Sequence, residues 1–199
     1  ATQTHDFRDV LSIYQEVLNS AESSSINNDL LDQWRSAVQN FISSIASEKT
    51  KLVYVKRLDE FINITKETSG IDLLGKLILC IYNEPSNREF ERLIVNASIL
   101  TRLSNDLRSY NRELESEYNS INSILFLEKI GVTQKDAEDK IKKKTLKIFN
   151  KLVEESSDLN IRVSNLSVIR LSLFISKLYS IRDFHSGNII LLLSTWWHH

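Results

Sequence analysis

Helix breakers are almost missing from this chain, with four glycines (70, 75, 131 and 187) and one proline (85) in 199 residues. Glycine and proline are the strongest punctuation a chain has. With so few, it can turn at only a handful of places and must run in long helices between them. That argues strongly against an all-β fold. Length and the 42% apolar content suit one domain with a sizeable core.

Apolar spacings of three and four predict where the helices lie. Residues 7–20 and 28–48 carry Val10, Ile13, Tyr14 and Val17, then Leu30, Leu31, Trp34, Val38, Phe41 and Ile42. Asn27 or Asn28 is the N-cap between them. Residues 50–68 form a further amphipathic stretch ending near Gly70. Residues 71–83 are nearly all apolar and predict a central buried helix that Pro85 ends. Ser86 and Glu89 read as a capping box for a long helix over 87–116. Helices near 119–130, over 134–157 opened by Thr133 and Asp136, and over 161–181 complete a bundle of about eight.

Charge and chemistry-bearing residues narrow the function classes. Twenty-five basic and 26 acidic residues leave a net charge of −1, so no nucleic acid is expected as a partner. The longest apolar run, Ile189 to Leu193, is too short to span a bilayer. Cys80 stands alone, so no internal disulfide can form, which suits a reducing compartment such as the cytoplasm. The histidines at 5, 185, 198 and 199 lack metal-ligand spacing, and there is no Gly-rich phosphate loop.

The long helix carries the exception. Phe90, Leu93, Ala97, Leu100, Ser104 and Leu107 form its core stripe. Asn105, Ser109 and Glu113, at i, i+4 and i+8, stack on a second face with Arg102 and Arg112. Ile94, Ser98 and Thr101 continue that face toward the start of the helix. An amide oxygen, a hydroxyl and a carboxylate are hard donors of the kind Mg²⁺ takes. One carboxylate leaves most of the ion's charge to be balanced by a ligand such as a polyphosphate. Guanidinium groups alongside would grip the same phosphates. The alternative reading is a solvated polar face with Glu113 paired to Arg112 or Arg108.

The segment from Arg102 to Glu113 resembles the second metal motif of class I terpene synthases, (N/D)Dxx(S/T)xxxE, and every defining position matches. Asn122-Ser123-Ile124 is similar to that family's N-S/A-V segment, and Gly131 to Ala137 to the turn that follows. The resemblance covers about residues 61–183 and is closest to bacterial and diterpene-type members. It implies an all-α, class I terpenoid synthase-type helical bundle forming a single domain over residues 1–199. It implies that Asn105, Ser109 and Glu113 chelate one Mg²⁺, and that Arg102, Arg112 and Arg182 hold the diphosphate. The substrate would be a prenyl diphosphate, farnesyl or geranylgeranyl, ionised with loss of diphosphate and cyclised in an apolar, aromatic pocket. Candidate aromatics are Phe61, Tyr82, Tyr110, Phe126, Phe174 and Trp196, each of which reads more readily as core packing, because aromatics at helical spacing usually pack.

Three departures accompany the resemblance. The family's aspartate-rich motif lies farther upstream than the 104 residues preceding Asn105. An N-terminal segment bearing it is expected to complete the bundle. Asn28-Asp29-Leu-Leu-Asp32 and Asp6-Phe-Arg-Asp9 are weak substitutes and read as helix-start acids. Before Gly70, Thr65 and Lys66 replace a diphosphate-sensing arginine. Near the end, Arg182-Asp183 replaces an Arg-Tyr pair. A homodimer is compatible with all of this. The alternative function is a catalytically inactive interaction or structural module of the same ancestry.

Overall fold

A computed structural model describes residues 27–115, 121–158 and 160–181. Within them lie seven α-helices and no strand, so the all-α expectation holds. The helices are α1 (Asn28–Leu52), α2 (Leu58–Thr65), α3 (Ile71–Tyr82), α4 (Arg88–Leu114), α5 (Ser123–Lys129), α6 (Gln134–Glu155) and α7 (Val163–Ile181). A 3-10 turn, Lys66–Ser69, joins α2 to α3. The helix expected over residues 7–20 lies outside the described residues.

Capping explains most of the starts. Asn27 accepts the Asp29 amide at 2.9 Å and opens α1, which accounts for Asp29 as a first-turn acid. Thr133 accepts the Asp136 amide and opens α6 as its sequence predicts. The capping box at Ser86 is corrected. Asn87 is the cap, its Oδ1 accepting from Phe90 N at 2.8 Å, whereas the Ser86 hydroxyl turns to Glu91. The extended backbone of Asn87 places its short amide over the third helical N–H. The stretch 50–68 is also shorter than expected: α1 runs on to Leu52 and the next helix begins only at Leu58. Val53, Tyr54 and Val55, two β-branched residues and an aromatic, lose side-chain freedom in a helix and form the turn instead.

The central helix is α4, not α3. Residues of α4 enter three of the four core clusters. Phe90, Ala97, Leu100 and Leu103 are fully enclosed. By contrast α3 buries one face through Ile71, Gly75, Leu79 and Cys80, and leaves Ile81 and Tyr82 exposed. Composition predicts burial, but an apolar helix at the rim of a bundle has only one neighbour side to face. The Cys80 thiol donates to the Leu30 carbonyl, which holds α1 against α3, and burial pushes its pKa up.

Gly70 makes the break between the 3-10 turn and α3. Its φ of 76° lies in the left-handed region, and an added Cβ would meet nothing nearer than the Phe41 ring at 3.8 Å. The cost of a side chain there is conformational rather than steric. Gly70→Ala is expected to lower unfolding free energy by about 1–2 kcal/mol, and Gly70→Asn by less, in urea titrations.

Glu84 ties the loop after α3 to the start of α7. It accepts from Arg162 Nε at 2.8 Å and Ser164 Oγ at 2.6 Å. The Ser164 hydrogen bond, then the Arg162 guanidinium, hold its carboxyl below the usual range against the opposing effect of burial. A depressed carboxylate stabilises the fold above its unfolded pKa and loses that contribution as pH falls through its folded one. Glu84→Gln is therefore expected to cost about 1 kcal/mol at neutral pH, a modest value because the side chain is 27% exposed. The difference from the parent protein should vanish in urea titrations carried down through the carboxylate range.

Candidate metal centre

The second half of α4 sets the candidate site. Asn105 is half-buried, Ser109 fully buried and Glu113 half-buried, on successive turns of one face. Burial pushes the Glu113 carboxyl up, and hydrogen bonds from Ser109 and Asn122 pull it back. Arg112 extends beside it, 41% exposed, with Nη2 3.8 Å from Glu113 Oε1. The three side chains present oxygen donors of three kinds and a single carboxylate, a set that fits Mg²⁺ with water and phosphate completing the shell.

Asp106, the neighbour of Asn105, faces away from this array. It is fully buried, and its Oδ2 accepts the Ser123 amide at 3.0 Å across the α4–α5 junction. Its Oδ1 lies 3.1 Å from Arg102 Nε. That pair is close, but the N–H is not aimed at the oxygen, so it acts as a charge pair rather than a directed hydrogen bond. Burial pushes the Asp106 carboxyl up, against the pull of the Arg102 guanidinium and the Ser123 amide.

Arg102 is the hub of this lower layer. Its guanidinium donates to the Ile121 carbonyl and to Thr68 Oγ1 at 3.3 Å, and sits 3.8 Å from Glu48. Thr68 in turn donates to Glu48 at 2.7 Å. One side chain thus joins α4 to α1, to the 3-10 turn and to the segment before α5. Glu48 is not singled out by sequence pattern, since it reads as an ordinary polar position in an amphipathic stretch. Arg182, Asp6 and Asp9 lie outside the described residues, as does Trp196.

A cavity of about 470 Å³ opens between α1, the 3-10 turn, α3 and α4. Ser98 and Ile94 line it from the face that carries Asn105. Ser98 is seven residues before Asn105, about 10 Å along the helix axis. Phe41, Leu73, Ile94 and Val95 form an apolar strip, and Asn40, Lys51, Lys66, Glu67, Asp72 and Glu91 a polar rim. Lys66, where the resemblance places a sensing arginine, donates to Asn63 at 2.6 Å. Three of the candidate aromatics take the core-packing reading. Phe61 and Phe126 stack on each other in the core at 4.6 Å. Tyr110 is buried with its hydroxyl on Glu128. Phe41 is the aromatic that lines the cavity, and in sequence it marks only its helix's apolar stripe. Asp29, Asp32 and Asp72 border an adjoining open groove, with Asp32 paired to Arg35 at 2.9 Å.

Residues 4–149 match the family model described as terpene synthase family 2, C-terminal metal binding. This span is well over half of the chain, and the chain belongs to that family. Its helices form a class I terpenoid synthase-type bundle. The match begins further upstream than the sequence resemblance at residue 61 and stops short of α7. No curated protein matches the chain. No helix among the described residues is long and apolar enough to cross a membrane.

Proposed function

We propose that this chain carries class I terpene synthase chemistry, the Mg²⁺-dependent ionisation of farnesyl or geranylgeranyl diphosphate followed by cyclisation. The observation that supports it most is the Asn105–Ser109–Glu113 face, which continues along α4 into the cavity beside Ser98. Asn105 Oδ1, Ser109 Oγ and Glu113 would hold the ion, which when bound would supply Lewis-acid polarisation of the leaving diphosphate. Arg112, the exposed guanidinium at the array, would grip the phosphate oxygens. Arg182 is proposed for the same task from the segment following α7. Arg102 would reach phosphate only by releasing Thr68 and Ile121, so its proposed contribution is to hold α4, α1 and the 3-10 turn at fixed spacing beneath the site. The apolar strip of Phe41, Leu73, Ile94 and Val95 would fold the prenyl chain and shield the allylic cation from water.

The test is incubation of the full-length gene product with Mg²⁺ and each prenyl diphosphate, followed by solvent extraction and product analysis. A cyclic terpenoid with release of diphosphate is the expected result. No product from either substrate would overturn the reading.

A further inference from the structure

Asn122 is enclosed to 1% exposure at the junction of α4 and α5, and it is bonded through both ends of its amide. Its Oδ1 accepts the Ile124 amide at 2.9 Å, which caps α5. Capping needs only that acceptor, and Ser, Thr or Asp supplies one as well. The amide's donor end goes elsewhere. Nδ2 donates to the Asp106 carbonyl at 2.8 Å and lies 3.5 Å from Ser109 Oγ. The same amide also acts on the Glu113 carboxyl, favouring its ionised form. One amide therefore bonds Asp106 and Ser109 on two successive turns of α4 and acts on Glu113 on the next, and Ser109 and Glu113 both belong to the candidate metal face. The Ser123 amide on Asp106 Oδ2 fixes the backbone from which Asn122 projects. The other caps among the described residues, Asn27, Asn87 and Thr133, have no such bond to another helix.

We propose that Asn122 is a positioning residue for the metal face, its amide holding Ser109 Oγ and the Glu113 carboxylate in the orientations that present their oxygens to one divalent cation. This rests on the metal-binding reading of Asn105, Ser109 and Glu113. Partners of this kind set ligand orientation at metal sites, and losing one typically weakens metal binding about 10–100-fold.

The test uses the full-length protein and Mn²⁺ alone, with free Mn²⁺ read from its electron paramagnetic resonance signal. Asn122→Ser keeps a capping oxygen and loses the Nδ2 group, which the shorter hydroxyl does not replace while it caps α5. Asn122→Asp keeps shape and cap but turns the donor into an acceptor facing Glu113. Both are expected to weaken Mn²⁺ binding at least about tenfold. Asn87→Ala, which removes a cap from the far end of α4, is expected to lower the thermal midpoint and leave Mn²⁺ binding within about twofold of the parent, since a cap contributes stability alone. Folded Asn122→Ser or Asn122→Asp binding Mn²⁺ as tightly as the parent would overturn the positioning role while the metal reading stands. Should Asn122→Ser not fold, the isosteric Asn122→Asp decides. No saturable Mn²⁺ binding by the parent, or binding that Glu113→Gln leaves unchanged, would overturn the metal reading and this inference with it.

Discussion

Glu113→Gln in the full-length protein is expected to lower turnover of a prenyl diphosphate by at least about a hundredfold, and to move the Mg²⁺ dependence to higher concentration. Removing an outer partner of a metal ligand already costs 10–100-fold at typical sites, and Glu113 is itself the one carboxylate of the set. The glutamine keeps the shape and one acceptor oxygen but not the charge. Stability should move the other way. Burial already opposes ionisation of this carboxyl, so the neutral amide should leave the thermal midpoint unchanged or raised. Loss of activity with retained stability separates a metal ligand from a structural residue. Undiminished turnover would remove the metal role.

Arg102→Ala should produce the largest stability loss of any polar substitution considered. It leaves the Asp106 carboxylate at 0% exposure without its counter-charge, and takes away the donors to Ile121 and Thr68. Removing one partner of a buried ion pair costs about 3–5 kcal/mol, mostly from the charge left behind. Asp106→Asn in the same background should recover part of that loss, because the amide oxygen can still accept from Ser123 and no charge remains to be desolvated. Urea unfolding of the parent, both single variants and the double variant closes the cycle. A loss below about 1 kcal/mol for Arg102→Ala would show that the guanidinium is a spectator in the fold.

The two substitutions lie on one short motif and test different layers of it. Glu113 belongs to the outer array with Asn105, Ser109 and Arg112. Arg102 and Asp106 belong to an inner layer that locks α4 to α1, the 3-10 turn and α5. Nothing in the spacing of residues 102–113 distinguishes the layers. Arg102 and Asn105 share a helix face on a wheel, yet Arg102 turns into the junction and meets Glu48, 54 positions earlier in the chain.

Some elements are legible in the sequence because their causes are local. The opening of α6 at Thr133 follows from a cap and an amide three residues away. The break at Gly70 follows from a left-handed φ that glycine adopts without strain. The i, i+4, i+8 alignment of Asn105, Ser109 and Glu113 follows from helix geometry alone. Where adjacent polar residues both suit a cap, as Ser86 and Asn87 do, spacing alone does not choose between them. The cap went to the side chain whose backbone angles aim it at the third amide.

By itself the sequence determined the all-helical class, most of the helices and the alignment of Asn105, Ser109 and Glu113 on one polar face, because each depends on backbone angles and side-chain period within a few turns. Only the tertiary structure decided that α4 rather than α3 is central, that Asp106 points inward and that Phe61 and Phe126 pack on each other instead of lining the cavity. It also decided that the Asn122 amide reaches Ser109 and Glu113. Each of these is settled by which surfaces meet across the bundle, between residues that share no turn of helix, and one-dimensional spacing carries no record of that.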